Sequence, residues 1–180
     1  MCGAPKKVLL VGGAGGVGSI AIQIMKKVLG FEVIATASRA VSVQHCRKLG
    51  ADHIINHHEP LAPQLEALGI ASVDIVFHTS EPEGNIEEIM PLVAPFGKII
   101  CILPVSKPVD TGSLFARSIS LVYELMFTRG LFQTGLARQG QILDKISALV
   151  DAGTIQYYAG RCLPMDCRWT ARGAQTHRRP

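Results

Sequence analysis

Short runs of consecutive apolar residues alternate along this chain with longer stretches in which apolar positions recur every three or four residues. KVLLVG (7–12), EVIATA (32–37), HIIN (53–56), VDIVFH (73–78) and KIICIL (98–103) read as five strands, and a sixth falls within SISLVYEL (118–125). After the first run, Val17, Ile20, Ala21, Ile24 and Val28 fall at helical spacing until Gly30 ends the helix. A second helix, around 41–49, stops at Gly50; another, near 85–94, is closed by Pro95 and Gly97. The last spans about 136–152, with Leu136, Ile142, Leu143, Ile146, Leu149 and Val150 on its apolar side. Strands that are apolar throughout need cover on both faces, which points to an α/β architecture with a parallel sheet. The expected fold is a Rossmann-type doubly wound parallel sheet with strand order 3-2-1-4-5-6 and right-handed crossovers. Its ligand crevice opens at the carboxyl ends of the first and fourth strands.

Composition leaves that picture standing. The chain has 180 residues, 48% hydrophobic and 18% charged, enough to bury one core, and it carries neither an internal repeat nor a low-complexity segment. No apolar run is long enough to span a membrane, so no membrane partner is expected and the cytoplasm is the default location. The net charge of +4 could suggest nucleic acid, but it lies entirely in residues 161–180, where Arg161, Arg168, Arg172, Arg178 and Arg179 face one acid, Asp166. Without interleaved aromatic residues, that basic tail is not read as a nucleic-acid site. Five cysteines (Cys2, Cys46, Cys101, Cys162, Cys167) at unrelated spacings read as reduced thiols, Cys46 and Cys101 as packing residues.

The chemistry begins where the first strand ends. Gly13, Gly15 and Gly18 in VGGAGGVGS fit G-x-G-x-x-G, between a strand and an amphipathic helix as the motif requires. In that reading the first glycine permits the tight turn, the second admits a pyrophosphate to the backbone, and the third lets helix and strand pack closely. Free amides at the helix start then face the anion. A purely structural glycine turn is the alternative. A P-loop is not, because no lysine follows the last glycine and Lys26 is too far along the helix. A dinucleotide-binding domain is thus expected over residues 1–160, followed by a basic, disordered tail over 161–180.

A site selective for NAD usually carries an acid at the end of the second strand. Here the position reads Thr36-Ala37-Ser38-Arg39, with no acid between Glu32 and Asp52. A serine hydroxyl and an arginine fork suit a 2′-phosphate that a carboxylate would repel, so NADPH (NADP) is the expected cofactor. Arg39 could instead be a solvated loop residue, and Ser38 could also cap the next helix.

GGAGGVGSIAIQIMKK, VIATASR, KLGADHIINH, VDIVFHTSEP, PFGKIICI and RSISLVYELMFTRGLFQT together resemble the cofactor half of medium-chain dehydrogenase/reductases, in the quinone oxidoreductase-like, zinc-type alcohol dehydrogenase-like branch. The resemblance covers about residues 6–158. It implies an oxidoreductase that passes hydride from NADPH to a quinone, activated alkene or carbonyl compound, and a small-molecule substrate for the full-length protein. It also implies that the pyrophosphate lies over Gly15, Gly16 and Val17, that His57, after the third strand, reaches the phosphate, and that Thr79 and the backbone of Ile102 and Leu103 border the nicotinamide end. A homodimer formed edge to edge through SLVYELMF is a further implication. Full members are much longer and have a separate β-rich substrate domain that this chain lacks. The RCLPMDCRWTARGAQTHRRP stretch also departs from the family pattern, as a shifted reading frame or misplaced gene end would.

Other candidates are weaker. His53, His57, His58 and Glu59 lack the spacing of a helical zinc site, so no metal is expected. His78 could relay protons or be a hydrogen-bonded residue at a strand end. Tyr123 and Arg129 could face the cleft or a neighbouring subunit. No Y-x-x-x-K pair is present, since Phe127 stands four residues after Tyr123, and no catalytic residue is assigned. The competing reading is a non-catalytic NADP(H)-binding or dimerisation module.

Overall fold

Leu9 and Val11 belong to one apolar cluster and Leu10 to another, the two-residue alternation of a strand packed on both sides. That strand is β1 (Lys7–Val11), in a computed structural model that describes residues 4–156. The tail at 161–180, with Cys162 and Cys167, and Cys2 at the other end lie outside the described residues. The sheet adds β2 (Glu32–Thr36), β3 (His53–Ile55), β4 (Val73–His78), β5 (Val93–Cys101) and β6 (Ser120–Tyr123). All pairings are parallel, in the order β3-β2-β1-β4-β5-β6 expected from the sequence.

One face is covered by α1 (Gly16–Gln23) and α2 (Ala40–Leu49), whose Ala21, Ile22, Cys46 and Leu49 pack on Leu10, Val33 and Ala35. The other is covered by α3 (Leu61–Ala67) and α4 (Ile86–Ile89), through Leu61, Leu65, Ile86 and Ile89 against Leu9, Ile34, Val76 and Ile99. Side chains of this size contribute about 1.5–3 kcal/mol each when fully buried, which is what holds the two layers on the sheet. α5 (Gly112–Ala116), α6 (Thr128–Leu131) and α7 (Ala137–Asp151) complete the elements.

Four details correct the sequence reading. The apolar series after the glycines does not form one buried face, because α1 passes into a π-helical turn over Ile24–Val28 with Leu29 N–H bonded to Ile24 O at 3.0 Å. The wide turn shifts the helical register by a residue, and both Val17 and Val28 are about half exposed. Pro95 and Gly97 do not end a long helix: α4 is one turn, a 3-10 turn follows at Met90–Leu92, and both residues lie inside β5 at an irregularity in the β4–β5 register. There Gly97 is needed for close approach, since a Cβ would stand 2.8 Å from Asp74 O. α3 was not anticipated because Pro63 falls in its first turn, where proline is tolerated although it reads as a breaker. Finally, β6 is not covered on both faces; Val122 and Tyr123 are exposed at the sheet's edge, and the apolar side of α7 also lies open at Ile142 and Leu143.

The segment after α7 returns to α1. Ile155 is buried, Gln156 N–H bonds to Gln23 Oε1 at 2.8 Å, and Gln23 Nε2 donates to Gln156 O at 2.8 Å. Lys27 Nζ adds a bond to Thr154 O at 2.9 Å.

Candidate functional site

The turn after β1 is built from glycines that do different work. Gly12, not Gly13, supplies the left-handed backbone, with φ of 85°, and a Cβ there would lie 2.6 Å from Thr79 Oγ1. Thr79 is locked in turn, its hydroxyl donating to Val11 O at 2.7 Å and its N–H to the same oxygen at 3.1 Å. Gly13 lays the turn on the sheet: its N–H bonds to Thr36 O, and a side chain would meet Ala35 Cβ at 2.9 Å and Cys46 Sγ at 3.2 Å. A Cβ on Gly18 would sit 2.2 Å from Gly12 O, so helix and turn touch there, as the third glycine of the motif requires. Cys46 is buried beneath them, and burial pushes its thiol pKa up, which suits packing rather than attack.

Gly15, Gly16 and Val17 are exposed at the start of α1, where a Cβ on Gly16 would meet nothing within 4 Å. The first-turn amides of Gly16, Val17 and Gly18 have no acceptor one turn back in the helix, so an anion approaching the exposed side meets donors and the positive end of the helix dipole.

Two cavities flank this first turn, both at the carboxyl ends of strands. The first, about 420 Å³, is lined by Gly12, Ala14 and Gly15 of the turn, the segment Thr36–Arg39, Ser42, His57 and His58. Ser38 does not cap α2: Arg39 occupies the N-cap position and no side chain makes a cap bond, because the helix begins one residue later than Ser38 could serve. Acids near β2 are engaged elsewhere. Glu32 pairs with Lys7 and with His53 at the amino end of the strand. Burial opposes the charge on Asp52, but the Lys26 ammonium and the Val33 N–H outweigh it and hold the carboxyl below the usual range. The cavity lining contains no carboxylate.

The second cavity, about 790 Å³, has Val17, Ile102 and Leu103 on one side and Leu125, Met126, Phe127, Ile142 and Leu143 on the other, with Glu124, Arg129 and Gln139 as its polar groups. Arg129 thus faces this cavity, a choice the sequence left open. Thr79, Gly13 and Gly18 line neither cavity; they shape the turn. Among the described residues, no group of three or more His, Cys, Asp or Glu could hold a metal ion. No described helix is long and apolar enough to cross a membrane.

His78, paired with Val11 across β1 and β4, is fully buried. Its Nδ1 lies 3.0 Å from Ser80 O and its Nε2 2.7 Å from Asn85 Oδ1, so the ring is a bound strand-end residue that ties down the loop carrying Thr79. Burial lowers its pKa, against the two hydrogen bonds. The neutral ring is therefore favoured in the fold, and its stabilising effect is full above the ordinary histidine pKa of about 6.5 and is lost as the pH falls below it. Melting temperatures of the parent chain should drop more steeply between about pH 7 and pH 5 than those of a His78→Gln variant; parallel slopes would show that His78 does not carry this dependence.

The pattern of zinc-binding dehydrogenases matches residues 16–139, from the first turn of α1 into α7. The chain belongs to the zinc-binding dehydrogenase family. Within the medium-chain dehydrogenase/reductase superfamily it corresponds to the cofactor-binding half. A zinc-type alcohol dehydrogenase-like protein of Staphylococcus aureus is 37% identical over 152 residues, 84% of this chain and 45% of the relative. The crystal structure of a putative zinc-dependent alcohol dehydrogenase from Rhizobium etli superposes with a TM-score of 0.79 at 40% identity, over 84% of this chain and 44% of that one. The Escherichia coli quinone oxidoreductase, whose structure is complexed with NADPH, gives 0.73 at 25% identity over 86% and 48%. The chain spans about half the length of the curated relatives it matches.

For this dehydrogenase domain the sequence reading missed Gly12, Ser42 and His58 among the groups that form the first cavity. Ser42 carries a usable signal, since it stands in the first turn of α2, three residues after Arg39. Gly12 carries none, because either of two adjacent glycines could have taken the positive φ.

Proposed function

We propose that this chain is the NADP(H)-binding domain of an oxidoreductase that transfers hydride between NADPH and a quinone, activated alkene or carbonyl compound. The observation that carries the reading is the cavity at the end of β2, which places Ser38, Arg39 and Ser42 beside the glycine turn without a carboxylate in its lining. A 2′-phosphate there would meet an arginine fork and two hydroxyls, and no anionic group would repel it. The pyrophosphate would lie over Gly15 on the exposed first-turn amides of Gly16 and Val17. Val17, Ile102 and Leu103 would then border the nicotinamide in the larger, apolar cavity. Bound there, the nicotinamide supplies the hydride. The protein's part is to orient it and exclude water; Thr79, held on Gly12 by its bond to Val11 O, keeps the floor of the crevice fixed. The NADPH complex of the similar E. coli quinone oxidoreductase supports this choice of cofactor.

Fluorescence titration of the chain with NADPH and NADH tests the reading: tighter binding of NADPH is expected, and equal affinity would remove the 2′-phosphate argument. The second reading, a non-catalytic NADP(H)-binding or dimerisation module, draws on the exposed edge of β6 at Val122 and Tyr123. Following NADPH absorbance after addition of a quinone separates the two. Oxidation supports the enzyme, whereas binding without oxidation supports the module.

A further inference from the structure

His57 and His58 stand side by side in the cavity that also holds Arg39, with ring centroids 4.4 Å apart. Their loop is tied from within. The Gln64 carboxamide donates to the carbonyls of Asn56, Glu59 and Pro60 and accepts the Asn56 N–H, and Asn56 Oδ1 accepts the His58 N–H. The two rings are therefore presented by an ordered turn rather than by a loose loop. From α2 and the residue before it, Arg39, Ser38 and Ser42 face the same space; the glycine turn adds no titratable side chain. Glu59, next on the loop, accepts the Asn56 amide N–H at 2.9 Å and is not part of the lining. Arg39 is thus the permanent charge of the cavity lining, and the two imidazoles are its titratable groups.

We infer that the His57–His58 pair makes phosphate recognition proton-linked: it takes up a proton when a phosphomonoester dianion enters beside Arg39, so preference for a 2′-phosphorylated dinucleotide strengthens as the pH falls from about 8 toward about 6.5. The inference rests on the NADP(H) reading above and names the groups that set its selectivity. Without the dianion, partial desolvation and the neighbouring His58 charge push the His57 pKa down, so the ring is held neutral near pH 7. A dianion at hydrogen-bond distance acts in the opposite sense, since a close opposite charge favours the charged form by about one to three pKa units. The phosphate bounds the window from below, because its own second ionisation lies at about 6 and a monoanion attracts imidazolium less. NADH has no such group and should bind without this coupling.

Calorimetric titration of the 180-residue chain with NADPH and NADH, in buffers of different ionisation heat, reads the proton directly. From pH 8 to pH 6.5 the ratio of NADPH to NADH affinity should rise about three- to fourfold for one pKa unit of coupling, whose full tenfold is reached only below both pKa values. Uptake of up to about half a proton should accompany NADPH and not NADH. Both effects should vanish in the His57→Gln/His58→Gln double variant, whose two sites are exposed, while Arg39→Ala weakens NADPH binding but keeps its pH slope. A preference for NADPH that stays flat with pH and takes up no proton overturns the inference and leaves the NADP(H) reading intact. Equal affinities at every pH remove that reading, and the inference with it.

Discussion

Gly18→Ala should lower the stability of the domain by about 3 kcal/mol or more, because the added methyl has nowhere to go. Its Cβ would fall 2.2 Å from Gly12 O, 2.7 Å from Gly13 O and 2.8 Å from Gly13 C, all backbone atoms of a turn that is itself held from three sides. Gly13 N–H is bonded to Thr36 O, Gly15 N–H to Gly12 O, and Gly12 is wedged against Thr79. The helix must therefore move off the sheet, which also uncovers Ile22 and Ala21. For a domain of this size the melting midpoint should fall by about 10 °C. Gly16→Ala is the matched control: the position is exposed, open on all sides and helical, so stability should change by less than about 0.5 kcal/mol. A Gly18→Ala chain that melts together with the parent would show that the turn can spread, and would undo this account of the third glycine.

Arg39→Ala should weaken NADPH binding by about ten- to a hundredfold, the range for losing hydrogen bonds to a charged group. NADH affinity should be unchanged. The substitution isolates the phosphate term because Arg39 is exposed and its side chain makes no cap bond to α2, so little structural cost accompanies it. Arg39→Lys should recover part of the loss, since an ammonium keeps the charge without the fork. Equal losses for both dinucleotides would place the arginine's contribution on a shared part of the ligand and remove its role in selectivity.

The sheet was legible in the sequence because its strands are apolar runs separated by glycine-closed helices, and parallel order follows once each crossover has a helix. Gly50, with φ of 106° at the end of α2, is a case in which one residue type marked the boundary. What could not be read is where several weak signals compete. Pro95 and Gly97 look like a helix stop, yet the pairing of Ile75 with Lys98 carries them into β5, where a side chain at Gly97 would crowd Val93, Ala94 O and Asp74 O. The division of labour among the glycines was similarly hidden: the motif identifies the turn, but it is Thr79, distant in sequence, that a side chain at Gly12 would meet. The place of Arg39 beside the glycine turn was legible, because it follows closely on β2. The candidate site was not legible where the decisive partner is remote, as with Gln64, whose amide orders the loop that presents His57 and His58.

The pairing of Gln23 with Gln156 has a consequence for biosynthesis. The Gln23 side chain is buried, and two of its hydrogen bonds are made with a backbone 133 residues further on. A nascent chain emerging from the ribosome can assemble β1, α1 and β2 early, but this carboxamide stays without those two bonds until residue 156 is free to fold back. The helix that begins at the glycine turn is thus finished last, and a chain arrested before that point would carry an open seam along α1 through which chaperones and proteases could recognise it.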